Sequence, residues 1–166
     1  MQLHRGEILF RQGEMGPLYQ LESGLLKVLR IRPDGSSLLF NLLVPGEMFP
    51  HHSLISPQPY FATCIAVTDS RVKLIPAESW YENLKRDPIQ YRDVALSLQN
   101  TLRLIQQRMA FATAPTSSRI PLFREWLSQH FQEQPVEQLL TQEEIGQLVG
   151  MSRETVNRQL RKENQK

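Results

Sequence analysis

The first 75 residues alternate short apolar stretches with turn residues. Residues 18–21, 25–31 and 38–44 are the clearest apolar stretches. Between and around them glycine recurs every eleven residues, at Gly13, Gly24, Gly35 and Gly46. Six of the eight glycines lie within the first 46 residues, so the turn grammar belongs to this half. Short strands at that spacing predict an all-β roll or barrel. Pro33-Asp34-Gly35 is the strongest hairpin signal. Gly6-Glu7-Ile8 opens a first strand, residues 63–67 read as another, and Arg71 and Lys73 alternate with Val72 and Leu74 in a half-exposed one. Pro50, Pro57 and Pro59 interrupt the segment between Glu47 and Tyr60, which predicts a loop or a short helical turn.

The period then changes. Residues 77–85 suit a short helix, closed by Asp87-Pro88. Proline is tolerated in a first helical turn, so a long helix is predicted over 88–112. Its apolar positions, Tyr91, Ala95, Leu98, Leu102, Ile105, Met109 and Ala112, step by four and three, the spacing of a coiled-coil seam. The alternative is an amphipathic helix packed on its own domain. Pro115 ends this helix, and residues 117–131 read as another, with Ile120, Phe123, Trp126, Leu127 and Phe131 on one face. Residues 132–138 form a polar connector.

Residues 140–161 carry the most specific pattern. Thr141 followed three residues later by Glu144 is a capping box and starts a helix. Ile145, Leu148 and Val149 form its buried stripe. Gly150 permits a left-handed turn, and Ser152 suits the N-cap of a second helix whose inner face is Val156 and Leu160. Two short helices across a tight glycine turn make a helix-turn-helix, and Gly146 would let them approach closely. The second helix presents Arg153, Glu154, Asn157 and Arg158 outward near its start. Arginine can read guanine in the major groove, and glutamate can accept from cytosine. From Ser152 to Lys166 there are five basic residues and two acidic ones, although the whole chain carries only +2. Arg161, Lys162 and Lys166 suit phosphates.

These residues resemble the Crp–Fnr superfamily of transcription regulators. The likeness rests on Glu144-Ile145-Gly146-Gln147-Leu148-Val149-Gly150 and Ser152-Arg153-Glu154-Thr155-Val156-Asn157-Arg158, and extends through the glycine-punctuated roll and the long helix. It implies an α+β protein: a cyclic-nucleotide-binding-type β-roll (a jelly roll) over 1–87, a dimerisation helix over 88–113, and a winged-helix-type DNA-binding domain over 114–166. No residues for the wing follow the second helix. By the resemblance Arg153, Glu154 and Arg158 read the bases of a TGTGA-like half-site. Thr141, Ser152, Thr155, Asn157, Arg161 and Lys162 contact the backbone or support the reading helix. Leu98, Leu102, Ile105 and Met109 form the dimer seam. The implied partners are double-stranded DNA, a second copy of the chain, RNA polymerase and a small-molecule effector.

The effector stretch departs from the family pattern. Cyclic-nucleotide binders of this kind carry an arginine against the phosphate. Here no arginine or lysine lies between Phe40 and Arg71, and a phosphate buried without a cation is costly. The expected effector is therefore not cAMP. Glu47, Met48, Phe49, His51, His52, Tyr60 and Thr63 are the candidate pocket residues. His51 or His52 could ligate a haem, but loop histidines making hydrogen bonds are the expectation, so no cofactor is assigned. The single cysteine, Cys64, cannot hold a four-thiolate cluster and should pack as a small apolar group.

Composition narrows the classes further. Charged residues are 22% and hydrophobic residues 40% of 166, an ordinary globular balance. No apolar run approaches the roughly 18 residues of a membrane span. No secretory signal opens the chain, so a cytoplasmic protein is expected. No nucleophile elbow, P-loop or HExxH motif is present, and no catalytic or metal-ligating set is assigned. The competing reading is a ligand-binding or protein-interaction module with a vestigial helix-turn-helix.

Overall fold

The computed structural model describes residues 1–131 and 134–163. Lys166, assigned above to phosphates, lies outside them. The N-terminal half folds as two four-stranded antiparallel sheets. One orders as β1 (Gln2–Leu3), β8 (Ser70–Ile75), β3 (Leu18–Ser23) and β6 (Met48–Phe49). The other orders as β2 (Ile8–Phe10), β7 (Thr63–Ala66), β4 (Leu26–Ile31) and β5 (Ser37–Leu43). The hairpin at Pro33-Asp34-Gly35 sets Leu26 opposite Leu43 and Ile31 opposite Ser37. The four regularly spaced glycines all have positive φ, from 81° to 94°. Gly24 shows why: a Cβ there would lie 2.3 Å from Ser70 Oγ and 2.6 Å from the Asp69 carbonyl.

Between the sheets pack Phe10, Tyr19, Leu21, Leu26, Leu43, Phe49, Cys64 and Val72. Cys64 is fully buried, and burial pushes its thiol pKa far above the ordinary value. The segment predicted as a loop or a short helical turn has the turn and, beyond the prediction, a short strand. It holds β6, paired to Tyr19 and Gln20 of β3, and one 3-10 turn at His51–Ser53. Two residues are too few to show an alternating pattern, so β6 left no trace in the sequence.

The helices are α1 (Ala77–Arg86), α2 (Gln90–Thr113), α3 (Thr116–His130), α4 (Val136–Leu139), α5 (Gln142–Val149) and α6 (Arg153–Glu163). The 24 residues of α2 span about 36 Å at 1.5 Å each. Its start falls two residues after Pro88, which sits in a preceding turn. The short α4 falls in the predicted connector, anchored by buried Val136 and Leu139. Helix α3 carries Pro121 in its second turn. Burial of Ile120, Phe123, Trp126 and Leu127 outweighs the backbone bond that Pro121 removes.

A second core joins the halves. Leu25, Leu39, Leu42, Val44 and Val67 of the roll share one cluster with Phe111 of α2, Phe123 and Trp126 of α3, Ile145 and Val149 of α5, and Val156 and Leu160 of α6. Polar clasps border it. Lys27 pairs with Glu144 at 2.6 Å, the Leu39 N–H donates to Gln147 Oε1 at 2.7 Å, and Arg5 donates to the Gln138 carbonyl at 2.9 Å. The roll and the helix-turn-helix are thus packed as one body.

Candidate effector pocket and nucleic-acid interface

The reading helix is built on the two caps that the sequence predicts. Thr141 Oγ1 accepts from the Glu144 N–H at 3.2 Å, and Glu144 Oε2 accepts from the Thr141 N–H at 2.9 Å. Helix α5 closes on Gly150 at φ 66°, ψ 44°, the left-handed region. A Cβ on Gly146 would lie 2.5 Å from the Met151 carbonyl, so glycine permits the close approach of turn and helix. Ser152 Oγ accepts from the Thr155 N–H at 3.3 Å and opens α6. Asn157 Nδ2 donates to Gln142 Oε1 at 2.9 Å, tying α6 back to α5.

Arg153, Glu154, Arg158, Arg161 and Lys162 are all exposed on α6. Among the described residues, Arg153 and Arg158 have no hydrogen-bond or ion-pair partner. Hydrogen bonds from its own backbone N–H and from Ser152 hold the Glu154 carboxyl below its ordinary pKa, so it stays an acceptor. Glu154 and Arg158, four apart, share a face, and Arg153 stands about 100° round the helix.

Sequence reasoning missed the residue that fixes this unit from behind. Arg119 of α3 donates from Nε to the Ala114 carbonyl at 2.8 Å, and from one terminal nitrogen to the carbonyls of Val149 and Gly150 at 3.2 and 2.6 Å. One guanidinium thereby joins the end of α2 to the turn before α6. No local pattern marks it, because its partners are backbone carbonyls up to 31 residues away.

The second site is a cavity of about 350 Å³ between the roll and α2. Phe49, His51 and His52 line it, as predicted candidates, together with Phe40, Asn41, Phe61 and Thr101, which were not singled out, and Ile105, which was assigned to the dimer seam. The other candidates lie elsewhere. Met48 packs beside Leu18, Leu54 and Leu84. Tyr60 stacks on Phe10 and donates to the Pro17 carbonyl at 2.8 Å. Thr63 Oγ1 accepts from the Gln12 N–H at 3.0 Å. Met48 and Thr63 lie in strands, where neighbouring residues face opposite sides of a sheet, whereas Tyr60 precedes β7 and is held by Phe10 and Pro17.

Glu47 sits behind the cavity and is nearly fully buried. Its Oε1 accepts from the Val44 N–H at 2.9 Å and from Arg108 of α2 at 3.2 Å, and its Oε2 lies 3.4 Å from His51 Nε2. Burial pushes this carboxyl up. His51, Arg108 and the Val44 N–H together outweigh burial and hold its pKa below the ordinary value. The Arg108 guanidinium also donates to Asn41 Oδ1 and stands 4.7 Å over the Trp126 ring. Burial pulls its pKa down too, but a guanidinium remains charged in proteins. The absence of a cation between Phe40 and Arg71 therefore does not leave this region without one. Arg108 arrives from a helix 61 residues after Glu47. Its charge is already matched by Glu47.

Residues 1–87 match the family model described as a cyclic nucleotide-binding domain, and residues 123–165 match the Crp-like helix-turn-helix domain. The CRP-like cAMP-activated global transcriptional regulator of Mycobacterium tuberculosis is 33% identical over an alignment 165 residues long that covers 94% of this chain and 73% of that protein. This chain belongs to the Crp–Fnr family. Such proteins are DNA-binding transcriptional regulators and not enzymes. The cyclic AMP receptor protein of Thermus thermophilus is 29% identical, over 94% of this chain and 72% of its own. A crystal structure of a CRP-family transcriptional regulator, also from Thermus thermophilus, shares the fold at a TM-score of 0.79 and 24% identity, covering 99% of this chain and 84% of that one. The Crp–Fnr roll here is the two-sheet unit of β1–β8, and the family's helix-turn-helix is α5 and α6.

On α2, Leu102, Ile105 and Met109 are 55%, 40% and 60% exposed. Leu98, also assigned to the seam, is half-buried against the cluster of Leu18, Leu84 and Val94. Among the described residues, no helix is long and apolar enough to cross a membrane.

Proposed function

We propose that this regulator is a homodimer that reads a palindromic duplex with TGTGA-like half-sites and responds to a small molecule other than cAMP. The observation that carries the reading is the exposure of Arg153, Glu154 and Arg158 on a capped, rigidly backed helix. Arg153 and Arg158 suit guanine O6 and N7, and Glu154 suits cytosine N4. Arg161 and Lys162 lie further along α6 and suit phosphates.

The exposed row of Leu102, Ile105 and Met109 supports pairing of α2 with its mate. Two reading helices would then meet successive major grooves, one helical turn apart. By the family resemblance, RNA polymerase is the protein partner beside that site. The cavity is the effector site in this reading. A cyclic phosphate there would have to draw Arg108 away from Glu47, and both are buried. His52 Nε2 lies 3.1 Å from the Pro59 carbonyl and His51 Nε2 faces Glu47. The His52 contact favours a hydrogen-bonding role, and no haem is assigned to either histidine.

The test is a gel shift on a TGTGA palindrome and on a scrambled duplex over a range of salt. Binding to the palindrome at least about a thousandfold tighter than to the scrambled duplex is expected for a specific reader. Equal binding to both would discard the reading. Sedimentation at micromolar concentration should give a dimer, and Leu102→Lys with Ile105→Lys should give monomers.

A further inference from the structure

The cavity between the roll and α2 has walls that are mostly aromatic and aliphatic. Phe40, Phe49 and Phe61 supply ring faces, and Leu43, Val28 and Ile105 fill the gaps between them. Phe40 and Phe61 meet edge to face at 5.3 Å and are 55% and 40% exposed at the mouth. Exposed rings at a cavity mouth are faces on which another ring can stack. A volume of about 350 Å³ lies at the lower end for ligand sites, which suits a molecule of one or two rings.

The polar groups narrow the choice. Asn41, His51, His52 and Thr101 contribute all of them, and no lysine, arginine, aspartate or glutamate lines the cavity among the described residues. Two cations lie near without lining the cavity. Arg108 holds Glu47 and Asn41, and Arg30, in solvent, lies over the ring of Phe61 at 4.0 Å. An anionic ligand would find no cation on the wall, and a cationic one no carboxylate. Asn41 Oδ1 is taken by Arg108, so its amide N–H groups are what it can offer. His52 Nε2 faces the Pro59 carbonyl and His51 Nε2 faces the Glu47 carboxylate, oxygens that only accept. Thr101 brings a hydroxyl, which can donate and accept. A hydroxyl, which both donates and accepts, matches this set.

We infer that the cavity takes an uncharged aromatic molecule of one or two rings bearing a hydroxyl group. This rests on the reading of the cavity as the effector site, but it concerns binding and needs no DNA. The probe is 2-naphthol, titrated into the full chain by calorimetry. Its comparators are 2-naphthoate, the saturated analogue 2-decalol, and cAMP. 2-Naphthol should bind at least about tenfold more tightly than each comparator, a difference of about 1.4 kcal/mol. Nuclear Overhauser contacts should join its ring protons to those of Phe40 and Phe61 in the unmodified protein. Phe40→Ala and Phe61→Ala, at exposed positions, should each weaken 2-naphthol about tenfold and leave the melting temperature nearly unchanged. No binding of 2-naphthol at millimolar concentration would overturn the inference. So would equal or tighter binding of any comparator, or contacts elsewhere on the surface. The same preparation is assayed for DNA binding without any probe. Ring binding without DNA binding would retain this inference and remove the proposed function. DNA binding without ring binding would do the reverse.

Discussion

Around α6, Arg153, Arg158, Arg161 and Lys162 stand in solvent, and the polar groups that support them lie behind, at Arg119, Asn157 and Ser152. Around the roll cavity, the buried charges of Glu47 and Arg108 are matched to each other, and the surface left open is mostly aromatic and aliphatic. The first region selects by projecting charge toward a polyanion whose counterions it can release. The second is lined by uncharged groups, so that a charge buried against them would bear its desolvation cost. Yet the regions are joined. Arg108 touches the cavity wall at Asn41, the turn at Glu47 and the ring of Trp126, which belongs to the core beneath the helix-turn-helix.

Substitutions at four positions test how far the two regions are separate. Phe123 is fully buried in the cluster that roll and reader share. Phe123→Ala should cost about 3–5 kcal/mol. Denaturant unfolding followed by roll tyrosines and by Trp126 should move together. A shift in only one signal would show two independent units.

Glu47→Gln removes one partner of a buried ion pair and should cost about 3 kcal/mol or more. It also removes a pH dependence. Glu47 has a depressed pKa in the folded protein. Its contribution is complete above the ordinary carboxylate value of 4.5 and is lost as pH falls through the lower folded value. The wild type should therefore lose stability more steeply than Glu47→Gln as pH falls from about 4.5 to the lower folded value. Parallel curves would mean that the Glu47–Arg108 pair contributes nothing net.

On α6 the expected effects are on binding alone. Arg158→Ala should cost about 1–3 kcal/mol and relax preference at one base pair. Site selection that returns the wild-type sequence would refute the base assignment. Lys162→Ala should leave the preferred sequence intact and reduce the slope of log affinity against log salt by about 0.9. Neither substitution should change the stability to denaturant by more than about 0.5 kcal/mol, because both side chains are exposed.

The reader was legible because its signals are local. Thr141 and Glu144 are three residues apart, Gly150 and Ser152 two, and each closes a bond within its own turn. The hairpin at Gly35 and the turn at Gly24 were legible for the same reason. The pocket was not legible to the same depth. Its wall runs from Phe10 to Ile105, and Arg108 reaches Glu47 only because α2 lies across the roll. A search for cations near Phe49 in the sequence cannot find one that arrives from another element. Met48 and Thr63 fell outside the lining because strand pairing turns them to other faces, and Tyr60 because its ring is held by Phe10 and the Pro17 carbonyl. Helix α4 was hidden by the polarity of its neighbours, although Val136 and Leu139 anchor it.

The clasp of α5 against β5 bears on how such proteins can be recombined. Gln147 accepts from the Leu39 N–H and donates to the Ser37 carbonyl, and Lys27 of β4 holds Glu144. A hybrid that joined this roll to a foreign reader after α2 would keep the peptide connection but lose the matching carboxylate and amide. It would also set Leu25, Leu39 and Leu42 against an unmatched surface. A graft that preserves register has to carry Lys27, Leu39, Glu144 and Gln147 as a set, so the transferable unit is larger than either sequence domain.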